Sequence, residues 1–124
     1  MKNIFIIAIL FLIYSCKKEE PKKESLYPEV AQTPEQLGKE LYDGKGNCVA
    51  CHQPEEKVIG PSMQEIATAY KAKNANMPAF LKGEAAPIVD PSQYDVMKTN
   101  FAITKTMSDE ELKALEAYFY SFAK

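Results

Sequence analysis

The chain has 124 residues, of which 46% are hydrophobic and 26% are charged, as expected for one small globular domain. Its 15 basic residues are all lysines and are outnumbered by 17 acids, so the formal net charge is −2. Without a basic excess or arginine side chains, this composition argues against nucleic acid as a partner and excludes an arginine-based phosphate site.

The N-terminal residues have the pattern of an export signal. A lysine precedes the apolar run Ile4 to Tyr14, which is too short to span a bilayer as a helix, and small Ser15 follows. Residues 1–15 are therefore predicted to be a signal peptide. The sequence from Ile13 to Cys16 also resembles a bacterial lipoprotein box, which implies that Cys16 is lipidated and anchors the chain to a membrane. A plain cleaved signal and an uncleaved signal anchor are the alternatives.

A charged stretch separates Cys16 from the predicted domain. Residues 17–24 alternate between lysine and glutamate with one proline and offer no apolar side chain for burial, so residues 16–32 are predicted to form a flexible linker. The folded domain is predicted to span residues 33–124. It begins with a helix for which Thr33 is the N-cap and Pro34 the first residue, and which ends at Gly44.

Cys48, Cys51 and His52 form a Cys-x-x-Cys-His sequence, the pattern of covalent haem attachment. On a helical turn the three side chains share a face, so the thiols can form thioethers with the haem vinyl groups while the imidazole ligates the iron. A zinc site needs four ligands, and the whole chain offers 3 cysteines and 1 histidine. A redox-active cysteine pair would leave His52 without a role, and it is retained as the alternative. One haem c per chain is therefore predicted.

Three more helices are predicted after the motif. Their expected N-caps are Ser62, Asn76 and Ser108. The first and last of these have a glutamate three residues later, which completes a capping box. The middle helix is expected over residues 77–82, and residues 84–100, with two prolines, are expected to form a loop over the haem. Since no alternating strand pattern occurs, the fold is predicted to be all-α, a small bundle of about four helices around the haem.

Methionine is the remaining candidate for the second axial ligand, because His52 is the only histidine. Met63 and Met77 fall in the first turns of predicted helices, where methionine commonly fills the core. Met107 directly precedes the last predicted helix, the position of a hydrophobic staple. Met97 lies in the predicted loop and is the preferred ligand, with Met107 and Met77 as alternatives.

Residues 33–124 resemble the class I cytochromes c. The resemblance rests on Gly38 and Tyr42 in the first helix, the Cys48 to His52 motif, Gly60-Pro61 before the second helix, a distal methionine, and Leu112, Leu115 and Tyr118 in the last helix. It implies that the first and last helices cross near Gly38, that the Pro61 carbonyl accepts a hydrogen bond from the His52 ring, and that Met97 is the distal ligand. The family often has a proline beside that methionine, whereas here the Met-Pro pair is Met77-Pro78.

With both axial positions filled, the iron can exchange single electrons but cannot bind a small-molecule substrate, so we expect an electron carrier rather than an enzyme. The expected partners are a quinol-oxidising complex and a terminal oxidase or reductase in an extracytoplasmic respiratory chain. The expected location is the periplasmic face of a bacterial membrane or the cell surface, with Cys16 as the tether.

Two other functions remain as alternatives. A labile sixth ligand would favour a gas sensor or a peroxidase-like protein, and a chain without haem would be a membrane-tethered Cys-x-x-Cys thiol oxidoreductase. Lysines that could surround an exposed haem edge and steer docking are Lys45, Lys57, Lys98 and Lys105. Ordinary solvated surface positions are the favoured explanation for these lysines.

Overall fold

The computed structural model describes residues 31–124; the predicted signal peptide, Cys16 and nearly all of the predicted linker lie outside them. Within residues 31–124 there is no strand, which confirms the all-α prediction. The helices are α1 (Pro34–Asp43), α2 (Met63–Lys73), α3 (Met77–Leu81), α4 (Tyr94–Met97), α5 (Phe101–Thr104) and α6 (Asp109–Tyr120). None of the helices in this part of the chain has the length and apolar character that crossing a bilayer requires.

The four helices that were predicted from the sequence begin at the predicted N-cap residues. The structure contains complete capping boxes at Thr33 with Gln36, Ser62 with Glu65, and Ser108 with Glu111. Asn76 accepts a hydrogen bond from the backbone N–H of Ala79 at 2.8 Å and so caps α3. The four predicted N-caps are confirmed, and each contributes about 1 kcal/mol to the stability of its helix.

The segment expected to be a loop from residue 84 to residue 100 is irregular only in its first half. Its second half forms 3₁₀ turns at Pro91–Gln93 and Lys98–Asn100 on either side of α4, and these turns continue into α5. The loop prediction is wrong for this half. Pro91 begins the run because its fixed φ suits a first helical position. The turns are too short to show the long apolar period by which a helix is predicted from sequence.

Helices α1 and α6, from opposite ends of the domain, pack directly against each other at Gly38. A Cβ atom at Gly38 would lie 2.6 Å from the Cβ of Tyr118 and would overlap the carbonyl oxygen of Ala114. The buried side chains around this crossing are Leu41 and Tyr42 from α1 and Leu112, Leu115 and Phe119 from α6. The absence of a side chain at Gly38 therefore sets how closely the two helices approach.

Replacing Gly38 with alanine is expected to lower the free energy of unfolding by about 1–3 kcal/mol, because the new methyl group forces α1 and α6 apart. The gain in helix propensity, about 1 kcal/mol, is too small to compensate for an overlap with backbone. Urea unfolding of the purified protein, followed by far-ultraviolet circular dichroism, measures the change.

Lys39→Ala is the matched control, since Lys39 is the next residue in α1 and makes only an exposed ion pair with Asp43. Its expected effect is below about 1 kcal/mol. Equal losses in the two variants would contradict the account of the helix crossing.

Candidate functional site

The Cys-x-x-Cys-His sequence forms one tight turn beside a cavity. Cys48 begins a short 3₁₀ helix (Cys48–Ala50), and its carbonyl accepts hydrogen bonds from the N–H groups of Cys51 at 3.1 Å and His52 at 3.0 Å. Asn47, just before the turn, has a left-handed backbone with φ of 50°. Cys48 and His52 are buried and Cys51 is half-buried, and all three line the same cavity. Local backbone geometry therefore brings two thiols and one imidazole to one space.

The imidazole of His52 is held in a fixed orientation. Its Nδ1 lies 2.7 Å from the carbonyl oxygen of Pro61. Because a carbonyl can only accept, the proton must be on Nδ1, and the lone pair of Nε2 is left available to a metal. Burial lowers the pKa of His52, against a smaller opposing effect of the Pro61 hydrogen bond, and so favours the neutral ring.

Two further residues shape the space around this ring. The Phe119 ring meets the imidazole edge-on, with 6.1 Å between centroids. A Cβ atom at Gly60 would lie 2.6 Å from His52 Cε1 and 2.9 Å from Nδ1, so only glycine leaves room for the ring at this position. Sequence analysis identified Gly60 only as part of a motif that leads into α2, and its contact with the imidazole emerges only in the folded chain.

Tyr42 holds the backbone of the same histidine. Its hydroxyl donates a hydrogen bond to the carbonyl oxygen of His52. Tyr42 is 3% exposed, and burial is the main reason that its pKa is raised above the ordinary value, so the hydroxyl stays protonated. In the sequence, Tyr42 was noted only as one of the residues that carry the family resemblance, and no sequence signal indicated a role for its hydroxyl.

The cavity has a volume of about 230 Å³ and mainly apolar walls. The helices contribute Ile66 and Tyr70 from α2, Phe80 and Leu81 from α3, and Leu115 and Phe119 from α6. Ile59 and Val96 also line it, and they remain 52% and 51% exposed. An apolar group bound in the cavity would cover them.

The candidate methionines fall into two groups. Met63 and Met107 are buried in the core and are not among the residues that line the cavity. Met77 and Met97 both line it. Met77 is 3% exposed at the start of α3, whereas Met97 is half-buried at the end of α4. The structure therefore brings two of the four methionines to the cavity that His52 lines.

These residues suit a covalently attached haem better than the other cofactors considered. Among residues 31–124, no three His, Cys, Asp or Glu side chains converge in the manner of an ion-binding cluster. Burial raises the pKa of the Cys48 thiol to about 11, the opposite of what an activated redox thiolate needs. Two thiols, an imidazole with a free Nε2 and apolar walls match the needs of a haem: thioether bonds, an axial nitrogen and exclusion of water.

Three of the four lysines considered for docking are engaged by carboxylates. The pairs are Lys45 with Glu111 at 2.7 Å, Lys57 with Asp90 at 2.8 Å, and Lys98 with Asp95 at 2.5 Å. The fourth, Lys105, places its ammonium 5.8 Å from the centre of the Phe101 ring. The charges of the three paired lysines are balanced locally, so these residues do not form a basic ring.

Comparison with known proteins agrees with this chemistry. The family model described as cytochrome c matches residues 35–122. A cytochrome c-552 of Nitrosomonas europaea is 53% identical over 30 residues, which cover 24% of this chain and 29% of that protein. A cytochrome c2 of Rubrivivax gelatinosus is 51% identical over 37 residues, which cover 30% of this chain and 42% of that protein. The aligned stretches span less than half the length of either relative.

Gly60→Ala is expected to displace the His52 ring, because the added methyl group would lie 2.6 Å from Cε1. We expect a reduced yield of haem-loaded protein and an altered absorption spectrum in the fraction that is loaded, both measured after expression with the haem-attachment machinery.

Val58→Ala is the control, since Val58 lies in the same loop and is 58% exposed. A Gly60→Ala protein with the yield and spectrum of wild type would show that the ring does not require this space.

Proposed function

This chain belongs to the cytochrome c family, and we propose that it carries single electrons with one haem c, held by Cys48, Cys51, His52 and Met97. The two cysteines would form the thioethers, His52 would be the proximal ligand and Met97 the distal ligand. The proposal depends above all on the imidazole fixed beside two thiols at one apolar cavity. An iron with nitrogen and sulfur axial ligands changes its oxidation state by one electron and leaves no position for a substrate.

The residues around His52 supply the rigidity that such a carrier needs. The Pro61 carbonyl holds the imidazole proton on Nδ1, which raises the basicity of Nε2 as a ligand. Apolar side chains of α2, α3 and α6 line the cavity, and with a haem bound there they would surround it with groups of low polarity. An imidazole that is fixed in orientation and surrounded by apolar side chains would move little when the iron gains or loses an electron.

The segment that carries Met97 is tied to the rest of the domain by polar contacts, which supports its choice over Met77. Asn100 Nδ2 donates to the carbonyl oxygen of Gly46 at 3.0 Å, and Gly46 directly precedes the haem-attachment turn. Lys73 donates to the carbonyl oxygen of Ile88 at 2.9 Å. Met77 is a fully buried member of the core cluster, whereas Met97 is only partly buried and packs against that cluster from outside.

Met97→Ala is expected to abolish the near-infrared sulfur-to-iron band of the oxidised protein and to let the reduced protein bind carbon monoxide, because the variant leaves an open axial position. Wild type is expected to show the band and not to bind carbon monoxide as isolated. Absorption spectra of haem-loaded protein measure both properties.

Met77→Ala and Met107→Ala are the matched controls and are expected to keep the band. Loss of the band in Met77→Ala alone would transfer the assignment to Met77. Binding of carbon monoxide by wild type would favour a gas sensor or a peroxidase-like protein over a carrier.

We further propose that the protein is exported, lipidated at Cys16 and tethered to a membrane, where it exchanges electrons with redox proteins of an extracytoplasmic respiratory chain. The basic start, the short apolar run and the lipoprotein-box pattern before Cys16 support export and lipidation. Residues 16–32 would then act as the linker between the anchor and the electron-carrying domain. Several acyl chains on one cysteine would hold a protein of this size firmly, at about 0.8 kcal/mol for each buried methylene group.

Cys16→Ser is expected to move the haem-loaded protein from the membrane fraction to the soluble fraction, because serine cannot receive the thioether-linked lipid. A haem stain of the two fractions on a denaturing gel measures the distribution. Ser25→Ala, a substitution in the predicted linker, should leave the protein with the membranes. Retention of Cys16→Ser in the membrane fraction would indicate an uncleaved signal anchor instead.

A further inference from the structure

Tyr42 contacts both the crossing of the terminal helices and the proposed proximal ligand. In α1, its ring packs edge-on against two α6 rings, with centroids 5.3 Å from Tyr118 and 6.0 Å from Phe119. Its hydroxyl donates to the backbone carbonyl of His52. A phenylalanine would satisfy the ring packing equally well, so the hydroxyl has a task that packing does not explain.

Besides the bond from its backbone N–H to the Cys48 carbonyl within the attachment turn, His52 is held at two points by residues outside that turn. The Pro61 carbonyl, from the loop before α2, binds the ring at Nδ1. Tyr42, from α1, binds the backbone at the carbonyl oxygen. A side chain fixed only at its ring can still change direction when its own backbone moves, whereas a residue fixed at both points cannot. These two hydrogen bonds, from different elements, restrain the imidazole together with the local bond to Cys48.

The same contacts connect the histidine to the packing of the two terminal helices. Phe119 of α6 touches both the Tyr42 ring and the His52 ring, with centroids 6.0 Å and 6.1 Å away. Gly38, one helical turn before Tyr42, is a position of α1 where α6 leaves no room for a side chain. Tyr42 therefore contacts both the α1–α6 crossing and His52, and Phe119 contacts both rings.

From this geometry we infer that Tyr42 is a positioning residue for His52. The hydrogen bond from the Tyr42 hydroxyl to the His52 carbonyl fixes the direction of the axial imidazole relative to the crossing of α1 and α6. The inference rests on the proposed function in that it takes His52 to be the proximal ligand. It adds a residue on the first helix to the set that determines how the cofactor is held.

Tyr42→Phe in the full-length, haem-loaded protein tests the inference, because it removes the hydroxyl and keeps the ring. In the reduced protein, nuclear magnetic resonance measures hydrogen exchange at His52 Nδ1–H and at the backbone amides of α6. The exchange rate of Nδ1–H, divided by that of the α6 amides, is expected to be about tenfold higher in the variant than in wild type. A tenfold change corresponds to the loss of one hydrogen bond. In the oxidised protein, the pattern of haem-methyl shifts, which reports the direction of the axial imidazole, is expected to change.

Tyr118→Phe is the matched control, since it removes a hydroxyl from the same aromatic cluster and leaves the His52 carbonyl contact in place. It should alter neither the relative exchange rate nor the methyl pattern. If Tyr42→Phe lowers stability but leaves both readouts as in wild type, Tyr42 is merely structural and the inference fails.

A measurement on wild type alone keeps the inference testable if the variant does not load with haem. Because Tyr42 links His52 to the terminal helices, His52 Nδ1–H and the amides of α1 and α6 should exchange with the same opening free energy. Exchange at Nδ1–H through a separate, more frequent opening would overturn the inference. A wild-type spectrum without an axial histidine would instead refute the proposed function, so the two failures are distinguishable.

Discussion

The hydrogen bond between His52 Nδ1 and the Pro61 carbonyl is the interaction on which the site depends, because it decides which imidazole nitrogen is free to bind a metal. The fold supports this bond from the start of α2. The N–H groups of Met63 and Gln64, which have no partner inside the helix, donate to the carbonyl oxygens of Gln53 and Pro54 at 2.9 Å and 3.1 Å. The loop between the histidine and α2 is closed by these bonds, so the Pro61 carbonyl is held where the ring can reach it.

Contact between helices from opposite ends of the domain forms the other support. Because Gly38 has no side chain, the backbone of α1 lies directly against Ala114 and Tyr118 of α6. Next to this crossing, the Phe119 ring packs against His52. Phe119 lines the cavity while also packing on Tyr42, so one side chain belongs to both the helix interface and the site. The stability of the helix pair and the geometry of the site are therefore set by the same contacts.

Charges have little part in holding this domain together. The buried polar side chains within residues 31–124 include those of His52, Ser62 and Thr104 and the hydroxyl of Tyr42, and no buried side-chain nitrogen or oxygen there lacks a hydrogen-bond partner. Thr104, for example, donates to the carbonyl oxygen of Leu81 at 2.6 Å. Each ion pair of this region has at least one exposed side chain, and such pairs contribute less than about 1 kcal/mol each. An apolar interior with a few satisfied polar groups is a suitable surrounding for a haem.

The sequence by itself determined what depends on neighbours in the chain: the helical class, the capping residues such as Ser62, and the attachment turn from Cys48 to His52. Each of these is a local pattern, in which spacing and side-chain chemistry are visible in the sequence. Tertiary structure decided what depends on residues far apart. It brought Met97 and Met77, but not Met107, to the cavity that His52 lines, and it brought the Tyr42 hydroxyl to the His52 carbonyl. Such contacts depend on the angles at which helices cross and on the paths of long loops. A local sequence pattern does not specify either of these.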